Sequence, residues 1–286
     1  MKAYIRLARP THAIKNILVL LPLLCSGQCL EPSRLLRALL GFCAFSLLSS
    51  AVYVMNDIRD RKKDRRNPSK CTRPIAAGVI SVPDARRFCL GLLLLALVVG
   101  YLAAGSSVQG WLAFVVYFLL NLGYSFGLKN VPLLDVAILA SGFLLRMLYG
   151  GAVTGIEISH WLYLTVMAAS FYLGLGKRRN ERRDQKGDTR LVLQYYSEGF
   201  LTGSMQMCLT LAVLFYALWT VDGSVVARVG ADRLIWTVPL VILVCMKYSM
   251  AVEGESDGDP VEVLFHDRIL LLLVAVLAAV LVFVIY

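Results

Sequence analysis

The chain has 286 residues, 58% of them hydrophobic and 17% charged, with a formal net charge of +10. Soluble domains average about 45–50% apolar and about 25% charged residues. The composition therefore excludes a soluble globule, a disordered chain and a small disulfide scaffold, and it points to a membrane. The basic balance alone would suit nucleic acid, so its meaning depends on where the charge sits.

A helix needs about 20 mostly apolar residues to cross a bilayer. In chain order the sequence predicts nine such spans: 14–30, 35–55, 86–105, 109–126, 132–153, 160–176, 199–220, 234–252 and 267–285. Their apolar runs are continuous rather than alternating, which argues against membrane strands. The predicted fold class is all-α, a polytopic membrane protein with one transmembrane domain over 1–286. The basic start and apolar run near the N-terminus could pass for a signal peptide. Leu24 stands before Cys25 where a small residue is wanted, however, and further spans follow, so the segment reads as the first span.

Residues 2–15 carry Lys2, Arg6, Arg9 and Lys15, residues 57–73 carry eight basic side chains, and residues 177–190 carry seven. With Arg86, Arg87 and Lys129 these account for 22 of the 29 Lys and Arg. The N-terminus and every second loop share them, which places that side in the cytoplasm and the C-terminus outside. No nucleic-acid partner is needed to explain the charge; the bilayer is the partner. The seven cysteines form no metal-binding pattern, and His12, His160 and His266 lie far apart. Cys25 and Cys29, four residues apart, read as packing within the first span.

The segment after the second span runs Asn56-Asp57-Ile58-Arg59-Asp60-Arg61-Lys62-Lys63-Asp64. The span is predicted to continue as a helix here, because Pro68 is the first strong stop. Asn56, Asp60 and Asp64 then follow at i, i+4 and i+8, as one stripe of oxygen ligands. Such oxygens suit Mg²⁺, which takes one or two carboxylates plus substrate phosphates. A charged loop that only fixed topology would not need that spacing.

Asn-Asp-x-x-Asp-x-x-x-Asp at the end of a second hydrophobic span resembles the signature of the UbiA-type intramembrane prenyltransferase superfamily. Lys70-Cys71-Thr72-Arg73-Pro74-Ile75-Ala76-Ala77-Gly78 is similar to the family's following loop. The resemblance implies nine helices around a cytoplasm-facing cavity, with 56–84 and 177–198 as the catalytic loops. Other segments look like one branch, the decaprenyl-phosphate phosphoribosyltransferases. They are Arg9-Pro10 with Lys15-Asn16, Tyr124-Ser125-Phe126-Gly127-Leu128-Lys129 with Asp135, Gly176-Lys177-Arg178 with Glu181, and Gly258-Asp259-Pro260-Val261-Glu262-Val263. This branch implies transfer of 5-phosphoribosyl from phosphoribosyl diphosphate to polyprenyl (decaprenyl) phosphate in a bacterial inner membrane. The same resemblance implies release of diphosphate and a product that feeds pentose-containing cell-envelope polymers such as arabinan.

One departure bears on the reaction. Aromatic prenyltransferases of the superfamily carry a second Asp-x-x-x-Asp after the sixth span, where this chain reads Lys177-Arg178-Arg179-Asn180-Glu181. Asp184 and Asp188 have the literal spacing, but Gly187 weakens a helix there. Basic residues are therefore expected to meet phosphate in place of a second carboxylate-held magnesium. Loops 57–73 and 177–190 together hold 15 basic and six acidic residues, a surplus suited to two phosphorylated substrates. The alternative is an aromatic prenyltransferase with a polyprenyl diphosphate donor. A transporter is disfavoured because the ionisable groups gather on one side. The sequence allows a homo-oligomer and sets no number of copies.

Asn56, Asp60 and Asp64 are the candidate catalytic and metal-holding residues. Candidates for phosphate or substrate contact are Lys15, Tyr53, Lys70, Arg73, Lys129, Arg146, Lys177, Arg178 and Glu181. Lys15 otherwise reads as a topology anchor, and Tyr53 as an interfacial aromatic. Lys177 and Arg178 sit where any helix C-terminus favours cations. Arg146 lies within a span and shares a face with Asp135. It either binds the lipid phosphate or snorkels outward. Ser81-x-x-Asp84 reads as a capping box, Gly150-Gly151 as a site of close helix packing, and the acidic patch over 253–268 has no catalytic argument.

Overall fold

The computed structural model describes residues 2–68, 70–184, 191–229, 232–253 and 260–286. Asp188 and the Gly258-Asp259 pair lie outside them. The chain opens with α1 (Lys2–Ala8), a 3-10 helix (Pro10–Val19) and α2 (Leu21–Leu24). Long helices follow: α3 (Pro32–Asp64), α4 (Val82–Ala104), α5 (Val108–Phe126), α6 (Leu134–Thr154), α7 (His160–Asp184) and α8 (Glu198–Val221). Then come the short α9 (Gly223–Val229), α10 (Val238–Glu253) behind a 3-10 turn, α11 (Pro260–His266) and α12 (Arg268–Ile285). No strand occurs among the described residues.

Seven segments are long and apolar enough to cross a membrane, against the nine expected: α3, α4, α5, α6, α8, Arg233–Glu253 and α12. The first expected span, 14–30, is not one α-helix. Its first half takes 3-10 hydrogen bonding and α2 ends at Leu24. Pro22 cannot donate to a continuous ladder. The sixth, 160–176, is the first part of the 25-residue α7, but His160, Thr165 and Ser170 dilute its apolar run. Asn56–Asp64 extends α3 as predicted, and the helix stops four residues before Pro68.

Helices adjacent in the chain pack together: α3 with α4, α5 with α6, α6 with α7, and α7 with α8. The 3-10 segment 10–19 lies against both α3 and α6. In α6, 61% of the apolar stretch is buried, against 11% in α12, so α6 is central and α12 presents an apolar face outward. Around α6, Phe45, Phe114, Tyr117 and Tyr149 interlock with ring centroids 4.6–6.0 Å apart. Ser81 caps α4 by accepting from the Asp84 N–H, as its spacing predicted. Asp267 caps α12 and takes the Lys247 ammonium at 2.6 Å. That contact and the first-turn N–H groups of α12 hold the Asp267 carboxyl below the usual range.

Among the described glycines, Gly150 permits the closest approach. A Cβ there would stand 2.0 Å from the Val19 carbonyl oxygen, so the 3-10 segment rests directly on the α6 backbone. Neither backbone can yield cheaply. Gly150→Ala is expected to destabilise the protein by about 2 kcal/mol or more, seen as a lower melting temperature in detergent; an unchanged melting point would show that the contact is not tight.

Candidate active site

The last turns of α3 carry four oxygen-bearing side chains, and helical geometry sorts them into two faces. At about 100° per residue, a step of eight rotates a side chain about 80° and a step of seven only about 20°. Asp64 therefore shares a face with Asp57 rather than with Asn56. Arg73 Nη1 donates to Asp57 Oδ1 at 3.1 Å and to Asp64 Oδ2 at 2.8 Å, and Arg9 Nη2 donates to Asp57 Oδ1 at 2.6 Å. Both carboxylates are buried, and Arg9 and Arg73 are the partly exposed members. Arg9 has φ 52°, a left-handed conformation that turns the chain between α1 and the 3-10 segment.

Asn56 and Asp60 form the other face, against the end of α5. Ser125 donates its hydroxyl to Asn56 Oδ1. Lys129 places its ammonium 2.9 and 3.0 Å from the two Asp60 oxygens. The expected stripe of three is thus divided: Asn56 and Asp60 together, and Asp64 with Asp57 around the helix. Tyr53 lies one turn before Asp57 on α3. Arg9 Cζ sits 5.2 Å from its ring centroid, and His12 packs edge-on at 5.3 Å. Lys15, on the 3-10 segment, and Lys70, in the loop before Arg73, are half-buried.

A second node joins α5, α6 and α7. Arg178 and Asp135 are fully enclosed, with Arg178 Nε 2.5 Å from Asp135 Oδ2. Arg178 Nη1 donates to Glu181 at 2.5 Å, and Nη2 donates to the Tyr124 hydroxyl at 2.8 Å. Tyr196 donates to Asp135 Oδ1 at 2.5 Å and accepts the Leu133 N–H at 2.6 Å. That bond secures Leu133, whose φ is 65°. Burial, reinforced by the Asp135 hydrogen bond, pushes the Tyr196 hydroxyl up to about 12, so it stays a donor. Arg178 and Glu181 were expected at substrate. Arg178 instead has no exposed surface, its guanidinium is engaged on three sides, and Glu181 is its partner. Lys177, one residue earlier, is half-buried.

Arg146 lies deeper, on α6. Its Nε donates to Asn16 Oδ1 at 2.7 Å, Nη1 to the Gly142 carbonyl at 2.5 Å, and Nη2 to the Tyr117 hydroxyl at 3.0 Å. It is 5% exposed, so it does not snorkel outward. Asp135 shares its helix but pairs with Arg178. Asn16 turns its oxygen to Arg146 because its amide nitrogen donates to Ser46 and Ser49. Sequence reasoning gave no role of their own to Arg9, Asn16, Asp57, Tyr117 and Ser125. Asp57 could have been found from its seven-residue spacing to Asp64. Tyr117 carried no signal in an apolar run.

No group of three or more His, Cys, Asp or Glu stands ready for a metal among the described residues. The donor chemistry of Asn56 and Asp60 nevertheless fits Mg²⁺. One carboxylate and one amide oxygen share a face, and a cation, the Lys129 ammonium, already sits on both Asp60 oxygens. Magnesium characteristically completes so small a set with substrate phosphates and water.

Residues 17–266 match the model of the UbiA prenyltransferase family. The chain is 35% identical over 274 residues to a decaprenyl-phosphate phosphoribosyltransferase of Corynebacterium glutamicum, covering 93% of this chain and 81% of that protein. It is 31% identical to a protein of the same name from Mycobacterium tuberculosis, covering 94% and 89%. Its fold is similar to a UbiA homolog from Archaeoglobus fulgidus bound to GPP and Mg²⁺. There the TM-score is 0.74 at 20% identity, over 98% of this chain and 96% of the other.

Removing one partner from a buried ion pair leaves an uncompensated charge, at a cost of about 3–5 kcal/mol. Asp135→Ala is therefore expected to cut the yield of folded protein and lower its melting temperature more than Asp60→Ala does. Equal melting temperatures for the two variants would show that the Arg178 node is not structural.

Proposed function

The chain belongs to the UbiA prenyltransferase family, and on that premise we propose that this membrane-embedded transferase moves 5-phosphoribosyl from phosphoribosyl diphosphate to polyprenyl phosphate. The observation that carries the reading is its likeness, over nine-tenths of its length, to decaprenyl-phosphate phosphoribosyltransferases. Under this reading a single domain places the Asn56–Asp64 end of the bundle at the cytoplasmic face of a bacterial cell membrane. The prenyl tail then lies against apolar helix faces.

The charge pattern supports the same chemistry. Two phosphorylated substrates need cations to lower the cost of bringing them together. Arg9, Arg73 and Lys129 converge on the α3 carboxylates and keep 21–28% of their side-chain surface exposed, so they can turn to phosphate. Lys15, Lys70 and Lys177 add to the same field. The acceptor phosphate is already an anion, so its oxygen attacks ribose C1 without a general base. The C1–O bond to diphosphate breaks with its electron pair on the leaving group, and the ribose passes through oxocarbenium character. A single displacement inverts C1. Bound Mg²⁺, held by Asn56 and Asp60 while Arg73 keeps Asp64 on the other face, would supply Lewis-acid neutralisation of the departing diphosphate. Arg178 and Glu181 act here by positioning α7 against α5 and α6, and Arg146 by tying Asn16 of the 3-10 segment and Tyr117 of α5 to α6.

The test supplies purified protein with labelled phosphoribosyl diphosphate, polyprenyl phosphate and Mg²⁺. A labelled lipid is expected, and Asp60→Ala should lower its rate about a hundredfold or more. No labelled lipid, together with prenylation of hydroxybenzoate from a polyprenyl diphosphate, would overturn the reading in favour of the aromatic prenyltransferase. Near-normal Mg²⁺-dependent turnover by Asp60→Ala would remove the metal assignment.

A further inference from the structure

The last two turns of α7 carry Lys177, Arg178, Arg179, Arg182 and Arg183 against the two acids Glu181 and Asp184 over 177–184. Three of the four arginines have clear structural work. Arg178 is closed in by Asp135, Glu181 and Tyr124. Arg179 pairs with the Glu253 carboxylate at 3.3 Å, and Arg183 donates to the Glu253 carbonyl at 2.6 Å. With Asn180, which donates to the Val252 carbonyl at 3.1 Å, they tie α7 to the end of α10.

Arg182 is different. Its Nη1 is shielded from solvent and has no hydrogen-bond partner. No carboxylate among the described residues pairs with it, and the adjacent acid, Glu181, is held by Arg178. More than nine in ten buried polar groups find a partner, and a buried charged donor without one is costly. A cation serving only the helix dipole would gain as much by facing water. Arg182 as a residue is only half-buried, yet its Nη1 is enclosed without an acceptor, and an acceptor from outside the chain would relieve it.

Its position identifies that acceptor. Arg182 follows Arg178 by one turn on the same stripe of α7. Arg178 reaches Tyr124, and the next residue, Ser125, reaches Asn56. The α7 stripe therefore borders the end of α5 that packs against the Asn56–Asp60 face of α3. Planar guanidinium with free N–H groups suits phosphate oxygens best.

We propose that Arg182 grips a phosphate of one substrate through Nη1. The proposal rests on the phosphoribosyl-transfer reading and deepens it. The shared chemistry is a phosphate oxygen, borne either by the diphosphate of the ribosyl donor or by the head of the lipid acceptor.

The experiment uses full-length Arg182→Gln and Arg182→Lys, with Arg179→Gln as a charge-matched control. KM and kcat are measured for each substrate, and inorganic pyrophosphate binding is measured by calorimetry. Arg182→Gln should raise one KM about ten- to hundredfold, with partial rescue in Arg182→Lys and no such rise in Arg179→Gln. Weakened pyrophosphate binding together with a raised donor KM assigns the diphosphate; a raised acceptor KM with unchanged pyrophosphate binding assigns the lipid head. Unchanged values for both substrates and for pyrophosphate overturn the proposal, as does a lower melting temperature without any change in KM or binding. If the wild type makes no ribosylated lipid, the reading of the reaction fails separately. The pyrophosphate arm then decides for Arg182: weaker binding in Arg182→Gln supports it, and equal binding overturns it.

Discussion

Charge held in a low-dielectric bundle needs a partner, and that requirement organises the charged end of this protein. Arg73 holds two acids of α3 at once, while Arg9 shares Asp57 with it. Removing Arg73 leaves Asp64 buried without a partner. The arrangement also links three parts of the chain distant in sequence: the turn after α1, the last turns of α3 and the loop following them. Arg65 strengthens the third link by donating to the Ala76 carbonyl at 2.9 Å, and Arg6 bonds Thr72 at 3.3 Å. A loop that composition marks as polar and loose is therefore tied to α3 at several points.

Arg146 meets the same requirement without an acid. An amide oxygen, a hydroxyl and a carbonyl accept from it, and Phe45, Tyr117 and Phe143 place rings within 4.8–5.9 Å of its guanidinium carbon. Dipoles and ring faces can stabilise a cation, but they leave its charge uncancelled. Tyr117 accepts from Arg146, which leaves its own hydroxyl hydrogen free to donate. Asn16 and Gly150 fix the 3-10 segment to α6 at neighbouring levels, so the deep cation and the tight backbone contact support one another.

Most spans were legible because continuous hydrophobicity is a local property of the chain. The two exceptions show what hydropathy omits. It registers the leucines of 14–30 but not the missing donor of Pro22, and it cannot weigh the Asn16 side chain that draws this segment to α3 and α6. The chemistry-bearing residues at the end of α3 were legible as types. Their grouping was not, because steps of four compound their rotation and steps of seven nearly cancel it. Arg178 read as an exposed cation at a helix end. Its counter-ion, Asp135, lies 43 residues earlier, and only packing of α6 against α7 brings the two together. Residues whose roles depend on such distant partners carry no local signature.

The two strained backbone positions follow from this organisation. Arg9 and Leu133 both have positive φ, which costs a non-glycine residue of order 1–3 kcal/mol. Each is over-determined by charge: Arg9 by Asp57, Leu133 by a Tyr196 hydroxyl that is itself bound to Asp135. The ion pairs thus oppose strain as well as desolvation. Arg9 is the partly exposed member of its pair, whereas Asp135 and Arg178 are sealed. In the proposed reaction, a substrate phosphate would compete for the first pair and not for the second. The Arg178 node is therefore suited to hold the bundle rigid while the cations paired with the α3 carboxylates exchange partners around it.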